Sequence, residues 1–191
     1  MSQMKDILLI GCGNSHDKRI QFGPSKEGDE KQWGEGSPEV DFSHANLVLH
    51  DRSPDLAKMV RYDFNLNDLP YPVATERFDE IHAYEVLEHC GSQGDGEFFF
   101  AQFNEFWRIL RPGGYMCISV PMWDAEVAWG VPDHCRVLPP GIFGFLTKDY
   151  YKDVGKPGYG DYRHWLKGCY WQALGKDESE EQLHVVLQKV A

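Results

Sequence analysis

The sequence has no uninterrupted apolar run approaching the roughly 18 residues that a membrane-spanning helix needs, although hydrophobic residues make up 42% of its 191 positions. No membrane association is expected. The first apolar stretch, Ile7 to Ile10, is far shorter than a secretory core and runs straight into glycines, so a cytoplasmic protein is expected. Cysteine is sparse and scattered: Cys12, Cys90, Cys117, Cys135 and Cys169 are odd in number and never spaced as Cys-x-x-Cys. That pattern disfavours both a disulfide framework and a zinc ribbon, and suits a reducing compartment. Cations are also in short supply, 19 lysines and arginines against 30 acids, for a net charge of −11. Broad binding to duplex nucleic acid is not expected, since it depends on neutralising many phosphates. Lys18, Arg19, Lys148, Lys152, Lys156, Arg163 and Lys167 either converge into a local basic patch or are scattered surface charges. No internal repeat is visible, and the length suits one domain over 1–191.

What is present is an alternation of short apolar runs with helical or loop segments. Ile7-Leu8-Leu9-Ile10 reads as a strand buried on both faces that stops at Gly11-Cys12-Gly13. From 14 to 46 the chain is polar and rich in glycine and proline, which predicts a long loop or insertion. Leu47-Val48-Leu49 predicts a second strand ending at Asp51. Ser53-Pro54 is placed to open one helical turn through Met59, before a short strand ending at Tyr62-Asp63. Phe78 to Tyr84 alternates as a strand, and Glu85 to His89 has helix-forming composition. Between Gly96 and Leu110 the spacing of Phe99, Phe103, Phe106 and Leu110 predicts an amphipathic helix whose apolar face is core. Tyr115 to Val120 reads as a further strand, 122–140 as an aromatic loop on the acceptor side, Pro140 to Tyr151 as a helix, and the tail as an antiparallel hairpin. The expected fold is α/β, a Rossmann-like and mostly parallel sheet with a C-terminal hairpin. In such sheets ligands bind beyond the carboxyl ends of the strands. Gly11, Gly13, Asp51, Asp63, Tyr84, Glu85, Pro121 and Met122 all fall there.

An acid after the second strand suits a ribose, because a carboxylate accepts from two adjacent hydroxyls; Asp51 is so placed, and an acid in a surface turn is the competing reading. The run Ile7 to Gly13, Asp51-Arg52-Ser53, Phe78-Asp79-Glu80-Ile81, Val86-Leu87-Glu88-His89 and Leu110-Arg111-Pro112-Gly113-Gly114 resembles class I S-adenosylmethionine-dependent methyltransferases over residues 7 to 121. It is also similar to small methyltransferases carried by bacteriophages. The resemblance implies an abbreviated version of that fold, with Ile10, Gly11, Cys12 and Gly13 at the methionine end of the cofactor, Asp51 at the ribose, and Arg52 also among the cofactor-binding residues. It further implies Asp63 and Phe64 beside adenine, and Ala83 and Tyr84 against the methionyl part. Where the family has an acid before the glycine turn and a third glycine, this chain has Leu9 and Ser15, so the cofactor's amino group is expected to use either backbone carbonyls or a different acid, such as Glu85.

On a helix, Glu85, Glu88 and His89 would share one face. With His134 they make four potential ligands, two carboxylates and two imidazoles, a set suited to manganese, iron or zinc. This resembles the ligand set of metal-dependent RNA 2′-O-methyltransferases. Packing roles for Glu88 and His89 are the other reading. His89 and His134 are the candidate bases for an oxygen acceptor, which is a small molecule, a nucleic-acid end or a protein. The expected cofactors are S-adenosylmethionine and a possible divalent metal, in the host cytoplasm if the source is a phage. Two further alternatives are a non-catalytic cofactor-binding protein and an NAD-dependent oxidoreductase. The second is disfavoured by Gly-x-Gly-Asn-Ser and by an acid 38 residues beyond Gly13 where about 20 is usual.

Overall fold

Ile7, Leu8, Leu9 and Ile10 are all buried because the strand that carries them lies inside a sheet, with neighbours on both sides. The computed structural model describes residues 4–12, 45–51, 62–178 and 180–190. Within it, β1 (Lys5–Ile10) pairs in parallel with β2 (Ala45–His50) on one side and with β3 (Phe78–Tyr84) on the other. β3 pairs in parallel with β4 (Leu110–Pro121), and the hairpin of β5 (Trp171–Glu178) and β6 (Gln182–Lys189) adds antiparallel strands. The order is β2-β1-β3-β4-β6-β5, the expected α/β Rossmann-like sheet with its C-terminal hairpin. β2 begins at Ala45, within the stretch expected to be loop. Residues 14–44 of the loop expected over 14–46, and the helical turn expected from Ser53 through Met59, lie outside the described residues.

Helix α1 (Gly96–Ile109) starts where Asp95 caps it, its side chain accepting from the Phe98 amide at 3.0 Å, and ends as Leu110 turns extended ahead of Pro112. Phe99, Phe103, Phe106 and Leu110 are buried against the sheet, as their spacing predicts. Of the short strand expected to end at Tyr62-Asp63, only those two residues lie among the described ones, and Tyr62 there forms an isolated parallel bridge with His50. Two expectations are corrected. The Pro140 to Tyr151 helix is two separate 3-10 turns, Pro140–Leu146 and Tyr150–Asp153; the proline-led segment holds no full α-turn and breaks at Thr147. Glu85 to His89 is not a helix, because Glu85 takes a left-handed conformation at φ 51° and only Leu87–His89 forms a 3-10 turn.

The sequence pair Phe-Asp and Leu-Arg-Pro-Gly-Gly turns out to be one structural device at the amino end of the sheet. Arg111 donates to Asp79 at 2.5 Å and to Asp6 at 2.9 Å, while the Asp6 amide donates to Asp79 at 2.8 Å. The backbone at Gly114 runs so close to β3 that a Cβ there would stand 2.8 Å from the Asp79 carbonyl. Burial would raise the Asp6 carboxyl, but hydrogen bonds from Arg111, Arg77 and Asn46 outweigh it and hold the pKa at about 2, below its ordinary 3.8. A carboxylate with a depressed folded-state pKa stabilises the fold fully above its unfolded value, and that stability is lost as pH falls through the folded value. Asp6→Asn is therefore expected to cost about 2 kcal/mol at neutral pH. The gap between variant and parent should shrink between about pH 4 and pH 2. Denaturant titrations at pH 7 and pH 3 check this, and an equal gap at both contradicts it.

Candidate functional site

Chain order reverses between β1 and β3: β1 runs on to its neighbour β2 on one side, and β3 on to β4 on the other. That reversal opens a crevice at the carboxyl ends, the usual ligand position in such sheets. Gly11 sits at its lip with φ 61°, and a Cβ there would lie 2.7 Å from the Val86 side chain, so the β1 turn and the β3 turn approach as only glycine allows. Ile10 is a core side chain and offers backbone alone to the crevice, whereas Cys12 is buried with its amide donating to His50 at 3.2 Å. Asp51 follows β2 at the same edge and is half-buried. Asp63 is exposed, and Phe64 packs on the His50 ring at 4.4 Å, whose Nε2 lies 2.8 Å from the Phe64 carbonyl. Gly13 and Arg52 lie outside the described residues.

Ala83 and Tyr84 end β3 facing opposite sides. Ala83 joins the core under α1, while Tyr84 belongs to a second apolar cluster with Leu9, Cys12, Cys117 and Val186. The Tyr84 hydroxyl is 2.6 Å from His82 Nδ1, and His82 Nε2 is 3.0 Å from Glu80, which also accepts from Lys5 at 2.8 Å. This buried chain runs the length of β3 and ends at the crevice. Alternation hides it: Glu80, His82 and Tyr84 occupy the positions that read as the polar face of a half-exposed strand.

Glu85 leaves β3 with its amide donating to the Ser119 carbonyl at 2.9 Å and its carboxylate accepting from the Ser119 hydroxyl at 2.6 Å. It therefore faces β4 at the crevice and is separate from the potential ligand group, which unites Glu88, His89 and His134 with ligand atoms within 4.8 Å of one another. The four-residue set expected from a shared helical face is corrected to three, because the turn at Glu85 swings its side chain away. Glu88 is 2% exposed, and neither carboxylate oxygen has a hydrogen-bond partner. Burial pushes its carboxyl up to about 8. The His89 and His134 rings meet edge to face at 4.8 Å between centroids.

One further residue, Arg136, was not singled out by sequence. Buried Arg136 donates through Nε to the Leu87 carbonyl at 2.9 Å, bonds to Gln102 through a second guanidinium nitrogen, and lies over the Phe98 ring. It borders a cavity of about 330 Å³ walled by Phe100, Phe145, Tyr162 and Trp165, beside the amino end of α1. In the 122–140 loop, Trp129 donates to the Trp123 carbonyl at 2.8 Å and both indoles are largely exposed, so these aromatics pack on their own loop. Lys152, Lys156 and Arg163 each pair with a neighbouring aspartate, while Lys18 and Arg19 lie outside the described residues.

A family model described as a methyltransferase domain matches residues 34–118. A Mycolicibacterium smegmatis protein described as a probable S-adenosylmethionine-dependent methyltransferase is 31% identical over 118 residues. That match covers 61% of this chain and 38% of the relative, so the chain spans well under half of the relative's length. The structure is similar to an S-adenosylmethionine-dependent methyltransferase from Archaeoglobus fulgidus, with a TM-score of 0.53 at 12% identity over 97% of this chain and 86% of that one. It is also similar to the Burkholderia thailandensis 1,6-didemethyltoxoflavin-N1-methyltransferase, solved with bound 1,6-didemethyltoxoflavin and S-adenosylhomocysteine. There the TM-score is 0.54 at 12% identity, over 99% of this chain and 72% of that one. The fold is the Rossmann-like fold of these enzymes. Among the described residues no helix is long and apolar enough to cross a membrane.

Proposed function

We propose that this chain, with its methyltransferase-domain match and Rossmann-like fold, transfers a methyl group from S-adenosylmethionine to an acceptor oxygen. The observation that carries the reading is the crevice between β1 and β3, with the close Gly11 turn, Asp51 and Glu85 gathered at one strand edge. The adenosyl ribose lies against Asp51, the adenine beside Asp63 and Phe64, and the methionine portion along the backbone of Ile10 to Cys12 and Ala83 to Glu85. Glu85 takes the amino group, since Leu9 offers no charge. The methyl moves in line: a carbon–oxygen bond forms as the carbon–sulfur bond breaks, and its electron pair returns to sulfur to leave a neutral thioether. Positioning in a desolvated site supplies much of the rate. The acceptor proton passes to His89 or His134.

The cavity beside Arg136 has the size of a small-molecule acceptor site. A ribose hydroxyl at an RNA end is the second reading, favoured by the grouping of Glu88 with two histidines. The described residues include all five cysteines, none of them paired, which suits cytoplasmic chemistry.

Calorimetry tests the cofactor assignment. S-adenosylmethionine and S-adenosylhomocysteine are expected to bind and NAD is not, and Asp51→Ala should weaken adenosyl binding by about 1–3 kcal/mol. Binding of NAD with none of S-adenosylmethionine overturns the reading. Turnover assayed apart from binding separates an enzyme from a protein that only holds the cofactor.

A further inference from the structure

Glu88 is the anomaly in this molecule. A buried carboxylate ordinarily accepts hydrogen bonds or faces a cation, because desolvation without compensation is costly. Here both oxygens are buried without a hydrogen-bond partner, and a ring nitrogen of each of two imidazoles lies within 4.8 Å of one of them. His89 Nε2 stands 3.8 Å from Glu88 Oε1, too far for a hydrogen bond. Ligands held about 2.0–2.2 Å from one ion stand about 3–4 Å from each other. The three ligand atoms lie within 4.8 Å of one another, so small side-chain rotations bring them to that spacing.

The histidines are also held as ligands are. His89 Nδ1 lies 3.1 Å from the Asp133 carbonyl and 3.2 Å from its carboxylate, which places the proton on Nδ1 and leaves the Nε2 lone pair facing Glu88. His134 Nδ1 lies 3.4 Å from the Ala128 carbonyl, and a proton held on Nδ1 there leaves the Nε2 lone pair available to an ion. The two segments are strapped together by backbone: the Cys135 and Arg136 amides both donate to the Glu88 carbonyl, at 2.7 and 3.1 Å, and the Gln93 amide donates to the Cys135 carbonyl at 3.0 Å. Glu88 shares a small pocket with Val120 and Pro121, which end β4 at the same sheet edge as the crevice proposed for the cofactor.

We propose that Glu88 with the Nε2 atoms of His89 and His134 forms a divalent transition-metal site, filled by manganese, iron or zinc. One carboxylate and two imidazoles suit these ions and leave coordination positions open for water or an acceptor hydroxyl. Calcium and magnesium would call for more oxygen. The geometry of the site does not depend on the methyl-transfer reading; the ion's role does, since with both imidazoles ligated the ion replaces them as the activating group by lowering the pKa of the acceptor hydroxyl, whose proton leaves to solvent.

The test uses the full chain, stripped with chelator and titrated with Mn2+ and separately with Zn2+ by calorimetry in the absence of S-adenosylmethionine. One ion per chain is expected at micromolar affinity or tighter. Glu88→Gln, His89→Ala and His134→Ala should each weaken it by at least tenfold, while S-adenosylhomocysteine affinity stays within a few-fold of the parent, which also shows that each variant is folded. No binding up to millimolar ion, or one-to-one binding that survives the His89→Ala/His134→Ala double variant, overturns the site. If the ion binds as described but S-adenosylmethionine does not, the site stands and the methyl-transfer reading falls.

Discussion

Arg136→Met is expected to lower the free energy of unfolding by about 3–5 kcal/mol, far more than its position in a loop suggests. The guanidinium is 5% exposed and joins three elements, donating to the Leu87 carbonyl in the 3-10 turn and to Gln102 inside α1, and covering the Phe98 ring. Methionine fills the volume but takes the guanidinium from the buried Gln102 amide oxygen and leaves the Leu87 carbonyl with the Cys90 amide at 3.2 Å alone. A buried acceptor that loses its partner costs about 1–3 kcal/mol, and more when the lost donor is charged. Lysine is not expected to rescue, since one ammonium cannot span both acceptors as the planar fork does. The consequence extends to function, because Arg136 anchors the segment that carries His134. Denaturant unfolding and turnover should therefore fall together, and a variant with parental stability contradicts the anchoring role.

Phe103→Ala is expected to destabilise by a similar amount, about 3–5 kcal/mol, through the lost apolar burial and the cavity that remains. Phe103 is 0% exposed and its ring meets four others: Phe99 at 4.9 Å, Phe106 at 5.8 Å, Phe143 at 6.0 Å and Trp171 at 6.3 Å between centroids. Because those partners come from α1, the Pro140–Leu146 turn and β5, the site is braced from several directions and collapses little when the ring is removed. Phe103→Leu should recover part of the loss. A loss below about 1 kcal/mol for alanine would mean that the three elements close over the gap.

The parts legible in the sequence share a physical property: each is dictated by local periodicity. Ile7 to Ile10 reads as a doubly buried strand because a parallel strand flanked on both sides has no polar face. Phe99, Phe103 and Phe106 read as one helix face because their spacing matches the helical repeat. Strand ends followed by Gly11, Asp51 and Glu85 mark the ligand edge because a parallel sheet exposes its carboxyl ends together. Even Phe-Asp and Leu-Arg-Pro-Gly-Gly are visible as a pair, though their purpose is not: only the sheet shows that Asp6, Asp79 and Arg111 meet, far apart in the chain and at the end opposite the crevice.

What the tertiary structure decided is the side-chain company of single residues. Glu85, Glu88 and His89 form one face only if the segment is helical, and the contact of β3 with β4 prevents that by drawing the Glu85 amide and carboxylate onto Ser119. His134 joins His89 because the Glu88 carbonyl captures two amides from the loop 47 and 48 residues further on. Arg136 becomes a buried strut and Glu88 a buried carboxylate without partners for the same reason. Such long-range hydrogen bonds carry no periodic trace in the sequence, since each depends on one donor and one acceptor brought together only after the sheet has assembled.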